Sequence, residues 1–553
     1  MDNKNTIENR SRRTLMKAAG AGLMLTSASV YATSKGPVVN TEYGKLEGFS
    51  RGKVNCFYGI RYGQPIAGKN RFKPPQPVKA WSGIKKADTF ANSSPQQPST
   101  GGRTPVGVAF ADDPSVSRGD DCLALNVWAP ANANGKLPVM VWFHGGGFSG
   151  GSGSSPLTNG TNLASRGDVI VVTVNHRLAA SGYVDFSRVL GGDFADSDNL
   201  GSKDMVAALK WVNTNIEAFG GDPDCVMIFG ESGGGWKVST LMGTPSAQGL
   251  FHRAVIESGP LLKFMSQDEA DKVANIMLEE LGVTKETAHK IHDMSFEDIV
   301  AAEKRASARF TRAAPGFPAG FWPVLDGEFL VDHVFDPVAN ASARGIPLLI
   351  GQTGTEMSLF MIPDKAAYTL TDEQLDERVY GKFGEEYAPQ VLTSYRQAFA
   401  GKSPSYLWFR MISDAVMGSL LLAIADAKMV PGGAPVYTFR FEQESPIMEG
   451  KLYSPHTLEI PFVFDTANEE GKVITGGGPE VKKLASDVSS VWVQFAKTGN
   501  PSIPALPEWP EYSTRNCATM HLDVNSKAGT YMPVDVVPIM HDLVFNKGVN
   551  FFG

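Results

Sequence analysis

The sequence predicts an α/β fold: a mostly parallel central sheet with helices on both faces and helical insertions above one sheet edge. Three observations carry that expectation. Short β-branched and aromatic runs at 139–143, 169–174 and 226–229 suit interior strands, an amphipathic helix over 203–218 lies between the last two, and a glycine-flanked serine follows the third run. Further strand candidates are 254–256, 348–350 and 436–441. Stretches 265–310 and 364–430 read as mainly helical, and insertions of that kind pack over the C-terminal edge of such a sheet, where they shape a substrate pocket. There is no internal repeat or long low-complexity linker, and the Gly-rich patches 145–153 and 475–478 are too short to separate domains, so residues 33–553 read as one domain.

Residues 1–32 read as an export signal. Ser11-Arg12-Arg13-Thr14-Leu15-Met16-Lys17 closes a polar, basic start, residues 18–32 are apolar and small, and Val30-Tyr31-Ala32 offers a cleavage site ahead of Thr33. The paired arginines resemble the twin-arginine type. The apolar stretch falls short of the roughly 20 residues a membrane span needs, so removal is expected rather than a stable membrane anchor, and the expected location is periplasmic or secreted. No later segment reads as a transmembrane helix.

The 553 residues are 42% hydrophobic and 20% charged, the composition of a soluble globular enzyme. A formal charge of -7 argues against general affinity for nucleic acid or anionic membrane, which leaves a small molecule as the expected partner. Cys56, Cys122, Cys225 and Cys517 make neither a disulfide framework nor a zinc spacing, and read as apolar thiols.

The chemistry starts at Gly230-Glu231-Ser232-Gly233-Gly234, which follows the apolar run 226–229 and has the form of a nucleophile elbow. Glycines on both sides suit a turn that strains the serine backbone and leaves no room for bulky neighbours. A serine hydroxyl needs a base to take its proton, and that base, a histidine, needs a carboxylate to fix its tautomer. In α/β hydrolases these follow in the order serine, acid, histidine. Glu356 lies just beyond the strand candidate 348–350 and His456 beyond 436–441, so both fall on loops at the same sheet edge as Ser232. The negative charge of a tetrahedral intermediate needs unobstructed backbone donors, and His144-Gly145-Gly146-Gly147-Phe148, after the strand 139–143, supplies them. The assigned donors are the N–H groups of Gly146, Gly147 and Gly233. Phe148 and Trp236 flank this loop and the elbow as candidate pocket residues.

Further stretches extend this pattern: Phe57-Tyr58-Gly59-Ile60, Arg71-Phe72, Asp121-Cys122-Leu123-Ala124-Leu125-Asn126, Asn175-His176-Arg177-Leu178, Phe219-Gly220-Gly221-Asp222-Pro223, His456-Thr457-Leu458-Glu459-Ile460-Pro461 and Phe495-Ala496-Lys497-Thr498-Gly499-Asn500-Pro501. With the elbow and the glycine loop they resemble, over nearly the whole chain after residue 32, the type B carboxylesterases, the family of para-nitrobenzyl esterases, animal carboxylesterases and cholinesterases. The resemblance implies a single α/β-hydrolase domain, no cofactor, and a Ser232, Glu356, His456 triad acting on carboxylic esters; no metal is expected either, since the sequence has no H-E-x-x-H motif and no clustered ligand set. It also implies that the Ser258 hydroxyl supports the acid and that Arg177 and Asp204 form a structural ion pair. Three departures stand out. Ser94-Pro95-Gln96 replaces the stretch whose cysteine pairs with the counterpart of Cys122, Gly233 stands where alanine is usual and is expected to loosen the turn, and Met357 follows the acid where glycine is usual.

Other readings are weaker. Residues 145–150 satisfy G-x-G-x-x-G, but no amphipathic helix starts there and no acidic residue ends the next strand. A non-catalytic binding or adhesion protein on this fold would not need the complete triad and glycine loop. Lipase, thioesterase or amidase chemistry would reuse the same residues. Acyl and alcohol preference, physiological substrate and oligomeric state are left open by the sequence.

Overall fold

The computed structural model describes residues 36–98, Gly107, 111–133, 136–310 and 320–549; the expected export signal and its cleavage after Ala32 lie outside the described residues. In chain order the strands are β1 (Val38–Thr41), β2 (Gly44–Glu47), β3 (Phe49–Arg51), β4 (Val54–Arg61), β5 (Ile84–Lys86), β6 (Ala124–Pro130) and β7 (Leu137–Phe143). They continue with β8 (Ile170–Val174), β9 (Gly221–Glu231), β10 (Arg253–Glu257), β11 (Leu348–Thr353), β12 (Val436–Phe441), β13 (Ala518–Leu522) and β14 (Lys527–Thr530). Eleven of these form one sheet in the order β14-β13-β12-β11-β10-β9-β7-β8-β6-β4-β3, while β1, β2 and β5 form a separate small sheet.

From β8 across to β13 every pairing is parallel. All residues of β8, β11 and β12 are buried, as strands covered on both faces must be, and they therefore read as apolar runs rather than alternating ones. Antiparallel strands extend the sheet at both ends, β6, β4 and β3 on one side and β14 on the other. Helix α1 (Leu200–Asn215) leads from β8 toward β9, and α2 (Gly233–Met242) leaves β9 and packs on β9 and β10. Helix α3 (Pro479–Thr498) packs on β7 and β9 and sends the Trp492 indole N–H to Glu257 Oε1 at 3.1 Å.

The expected elements are present with shifted ends. The helix expected over 203–218 starts at Leu200, and its last turn tightens into a 3-10 segment, Ile216–Phe219, that Gly220 ends at φ 90°. The strand expected at 226–229 runs from Gly221 to Glu231. Stretch 265–310 holds Gln267–Leu281 and Phe296–Ser307, the first opened by a reciprocal cap between Ser266 and Glu269.

One expectation is corrected. The helical stretch Pro404–Ala427 contains an 18-residue window of mean hydropathy 1.5, long and apolar enough by length and composition to cross a membrane, although 89% of that window is buried inside the protein, as in a core helix. Its charges explain how it is held. Arg410 pairs with Glu442 at 2.8 Å, and Asp414 pairs with Arg440.

Arg177 and Asp204 form the expected buried pair. Nε and one terminal nitrogen of Arg177 reach the two carboxylate oxygens at 2.7 and 2.6 Å, and the Arg177 backbone N–H adds a third bond at 3.0 Å. The four cysteines are free. Cys122 lies beside Ser94, where the family pattern places a partner cysteine, and burial pushes its thiol up to about 12.

Candidate active site

Strand β9 ends at Glu231 and α2 begins at Gly233, so Ser232 alone makes the turn between them, at φ 56° and ψ -122°. A non-glycine residue held in so sparsely populated a region costs about 1–3 kcal/mol, and its surroundings must over-determine it. They do so by contact. A Cβ at position 230 would lie 2.6 Å from the Phe143 carbonyl oxygen, and one at 234 would lie 2.1 Å from the same atom, so only glycine fits on either side. The Ser232 N–H donates to the Glu257 carbonyl at 2.8 Å, tying the turn to β10.

Glu356 and His456 follow β11 and β12, two neighbouring parallel strands, and their loops are stitched together. The Thr355 N–H donates to the Ser454 carbonyl at 2.9 Å, and the Ser454 N–H donates to Thr355 Oγ1 at 3.0 Å. His456 Nδ1 then donates to Glu356 Oε2 at 2.5 Å, with both side chains buried. Glu356 Oε1 accepts from Ser258 Oγ and from the Thr353 N–H, each at 2.6 Å. Three donors thus converge on one carboxyl group, which leaves little freedom for its rotation. Met357, where glycine is usual, is buried and gives its N–H to Ser413 Oγ at 3.0 Å.

His456 Nε2 lies 3.2 Å from Glu231 Oε1, although that oxygen makes no hydrogen bond of good geometry. Among the described residues no hydrogen bond joins Ser232 Oγ to His456. Catalytic bonds of this type commonly tighten only when substrate is bound.

Gly146 and Gly147 have φ of 86° and 62°, conformations that other residues adopt at a cost. Gly233 opens α2 directly beneath them. A Cβ there would lie 2.2 Å from the Gly147 nitrogen and 2.3 Å from its Cα, so the glycine does not loosen the turn as expected; it admits the loop backbone against the helix. Gly233→Ala must push the loop away from the elbow, and kcat is expected to fall about 100-fold with KM little changed, as steady-state kinetics would show.

Sequence reasoning missed a group of buried carboxyls around His456. Glu231 and Glu459 are both held well above the usual carboxyl range, first by burial and then by the other carboxyls of the group. Glu257 is pushed up to about 8 by burial, against the pull of the Trp492 indole. Each neighbours a residue already singled out: Glu231 precedes Ser232, Glu257 precedes Ser258, and Glu459 follows His456 by three positions. Because Glu257 holds its proton more tightly folded than unfolded, its favourable contribution is complete below the ordinary carboxyl value of 4.5 and is lost as pH rises through about 8. Glu257→Gln, which is always neutral, should therefore flatten the decline in melting temperature between pH 5 and pH 9, measured by thermal unfolding.

Phe148 is 2% exposed and packs against Tyr183, Trp236 and Trp322, with ring centroids 4.7, 5.9 and 5.2 Å away. It backs the half-buried Trp236. Phe360, one turn after the acid, sets its ring 4.9 Å from that of His456 and is 46% exposed.

Residues 35–536 match the carboxylesterase family. The chain is 36% identical to the para-nitrobenzyl esterase of Bacillus subtilis (strain 168) over 487 residues, 88% of this chain and 94% of that protein. It is 31% identical to carboxylesterase 1D of Rattus norvegicus over 527 residues, 87% and 89% of the two chains. Among solved structures, an esterase from Clostridium hathewayi superposes with a TM-score of 0.78 at 33% identity, covering 92% of this chain and 98% of that one.

Proposed function

The chain belongs to the carboxylesterase family and is a carboxylic ester hydrolase, and from that premise we propose that Ser232, His456 and Glu356 carry the reaction. The observation that supports this most directly is the buried His456–Glu356 hydrogen bond of 2.5 Å at the edge where β9 delivers a strained serine. Ser232 attacks the ester carbonyl while His456 takes its proton and then returns it to the leaving alcohol. Glu356 keeps the proton of the imidazole on Nδ1, so that Nε2 can accept. The N–H groups of Gly146, Gly147 and Gly233 hold the oxyanion, an interaction worth about 3–4 kcal/mol for one comparable donor. Water activated by His456 then releases the acid from the acyl-enzyme.

Trp236, with Phe148 behind it, forms one wall of the substrate pocket. Residues 1–32 direct export by a twin-arginine-like route to the periplasm or beyond the cell and are removed, leaving no stable membrane anchor. Nucleic acid is not a partner, in keeping with the net charge of -7. Hydrolysis of para-nitrophenyl esters from acetate to palmitate tests the substrate reading. Hydrolysis abolished in Ser232→Ala supports the reading, hydrolysis unaffected by that substitution would overturn Ser232, and the chain length of the best substrate sizes the pocket.

A further inference from the structure

Helix α2 carries one lysine among glycines and mostly apolar residues, Gly233-Gly234-Gly235-Trp236-Lys237-Val238-Ser239-Thr240-Leu241-Met242. A lysine in a helix usually faces water or runs its stem along the surface. Lys237 is 0% exposed. Its Nζ donates to the His144 carbonyl oxygen at 2.7 Å and lies 3.4 Å from His144 Nδ1. That ring nitrogen is 2.9 Å from the Gly145 carbonyl, which can only accept, so Nδ1 carries a proton and the His144 carbonyl is left as the acceptor for Lys237. The His144 ring also stacks on His176 with centroids 4.9 Å apart.

Among the described residues Lys237 forms no ion pair. An amine buried without a carboxylate is costly, and burial pushes its pKa well below the ordinary value. Charged or neutral, it still has an N–H to give. A methionine would fill the same space without that cost, so the amine is explained by the bond it makes. His144 follows Phe143, the last residue of β7, and is the joint at which the glycine loop leaves the sheet. The loop has turn bonds of its own, the Ser149 and Gly150 N–H groups donating to the Gly146 carbonyl at 3.3 and 2.9 Å, but Gly146 and Gly147 lose more conformational freedom on ordering than any other residue type would, so an anchor at the joint adds to their aim.

We infer that Lys237 is a positioning residue for the oxyanion loop, its Nζ fixing the His144 carbonyl so that the Gly146 and Gly147 N–H groups stay aimed at the developing negative charge. Gly233 and Gly234 at the start of α2 let Gly147 and the Phe143 and His144 carbonyls rest on the helix, and Lys237, one turn along, fastens the loop there. The inference rests on the assignment of Gly146, Gly147 and Gly233 as oxyanion donors.

The test compares wild type, Ser232→Ala, Lys237→Met and Lys237→Gln. Each is assayed with para-nitrophenyl acetate and with a trifluoromethyl ketone, which serine attack converts into an oxyanion held by the same donors. For Lys237→Met, kcat should fall about 50-fold and ketone binding should weaken by a similar factor, while KM stays within about twofold. Lys237→Gln, which restores a donor of shorter reach, should recover part of both losses, and it carries the test alone if the methionine variant does not fold. Loss of a merely structural lysine would lower stability without this matched fall in kcat and ketone affinity. Wild-type activity abolished in Ser232→Ala but kept within threefold in Lys237→Met would overturn the role of Lys237 alone. Activity persisting in Ser232→Ala would instead overturn the reading of the site on which it rests.

Discussion

Ser232→Ala is expected to lower kcat on para-nitrophenyl acetate by about a millionfold, the loss typical of removing a serine nucleophile whose partners remain in place. Alanine removes one oxygen and keeps a Cβ, so the turn at φ 56° and the Ser232 N–H bond to Glu257 are undisturbed. The melting temperature should therefore stay within about one degree of wild type. Labelling by a fluorophosphonate, read by mass spectrometry, should disappear with activity. A variant that keeps even a hundredth of wild-type kcat would remove Ser232 from the mechanism.

The second large effect is expected from Glu356→Gln, about 10⁴-fold in kcat. Its cause can be followed atom by atom. Oε1 accepts from the Thr353 N–H, which cannot reverse, and from Ser258 Oγ, which can. A glutamine must therefore keep its oxygen on that side and turn its NH₂ toward His456 Nδ1. The imidazole would then accept at Nδ1 and carry its proton on Nε2, where it cannot take one from Ser232. Folding should survive, because the buried site keeps its volume and most of its hydrogen bonds. Glu356→Asp, which still accepts, should lose much less than the amide variant, and equal losses in the two would argue against tautomer control.

Local strain made the elbow legible: the residues that must be glycine at 230 and 234 sit next to the serine in sequence. Glu356 and His456 were readable by a topological argument, because parallel strands deliver their following loops to one edge. What escaped were properties that only packing confers. Glu231, Glu257 and Glu459 are ordinary carboxylates in sequence and become a proton-holding group only when the ends of β9 and β10 and the segment after His456 are buried together. Lys237 reads as a surface residue until α2 is seen beneath the glycine loop. Gly233 shows the same limit from the other side, since its reason lies 86 positions away at Gly147 in the sequence, in a backbone that a side chain would strike. The short strands β1, β2, β3 and β14 were passed over because exposed positions interrupt any apolar run, and β4 and β6, though largely buried, because Asn55 and Asn126 break theirs.

Pro404–Ala427 has a further consequence, for the order of events in the life of the chain. To a translocation channel that threads an unfolded polypeptide, a 24-residue stretch with so apolar a window resembles a stop signal and invites sideways release into lipid. Once the domain has folded, the same residues lie beneath others, with Arg410 and Asp414 neutralised by Glu442 and Arg440, and nothing remains for the channel to read. If residues 1–32 direct export as proposed, a chain with such a core helix gains by crossing the membrane as a finished body.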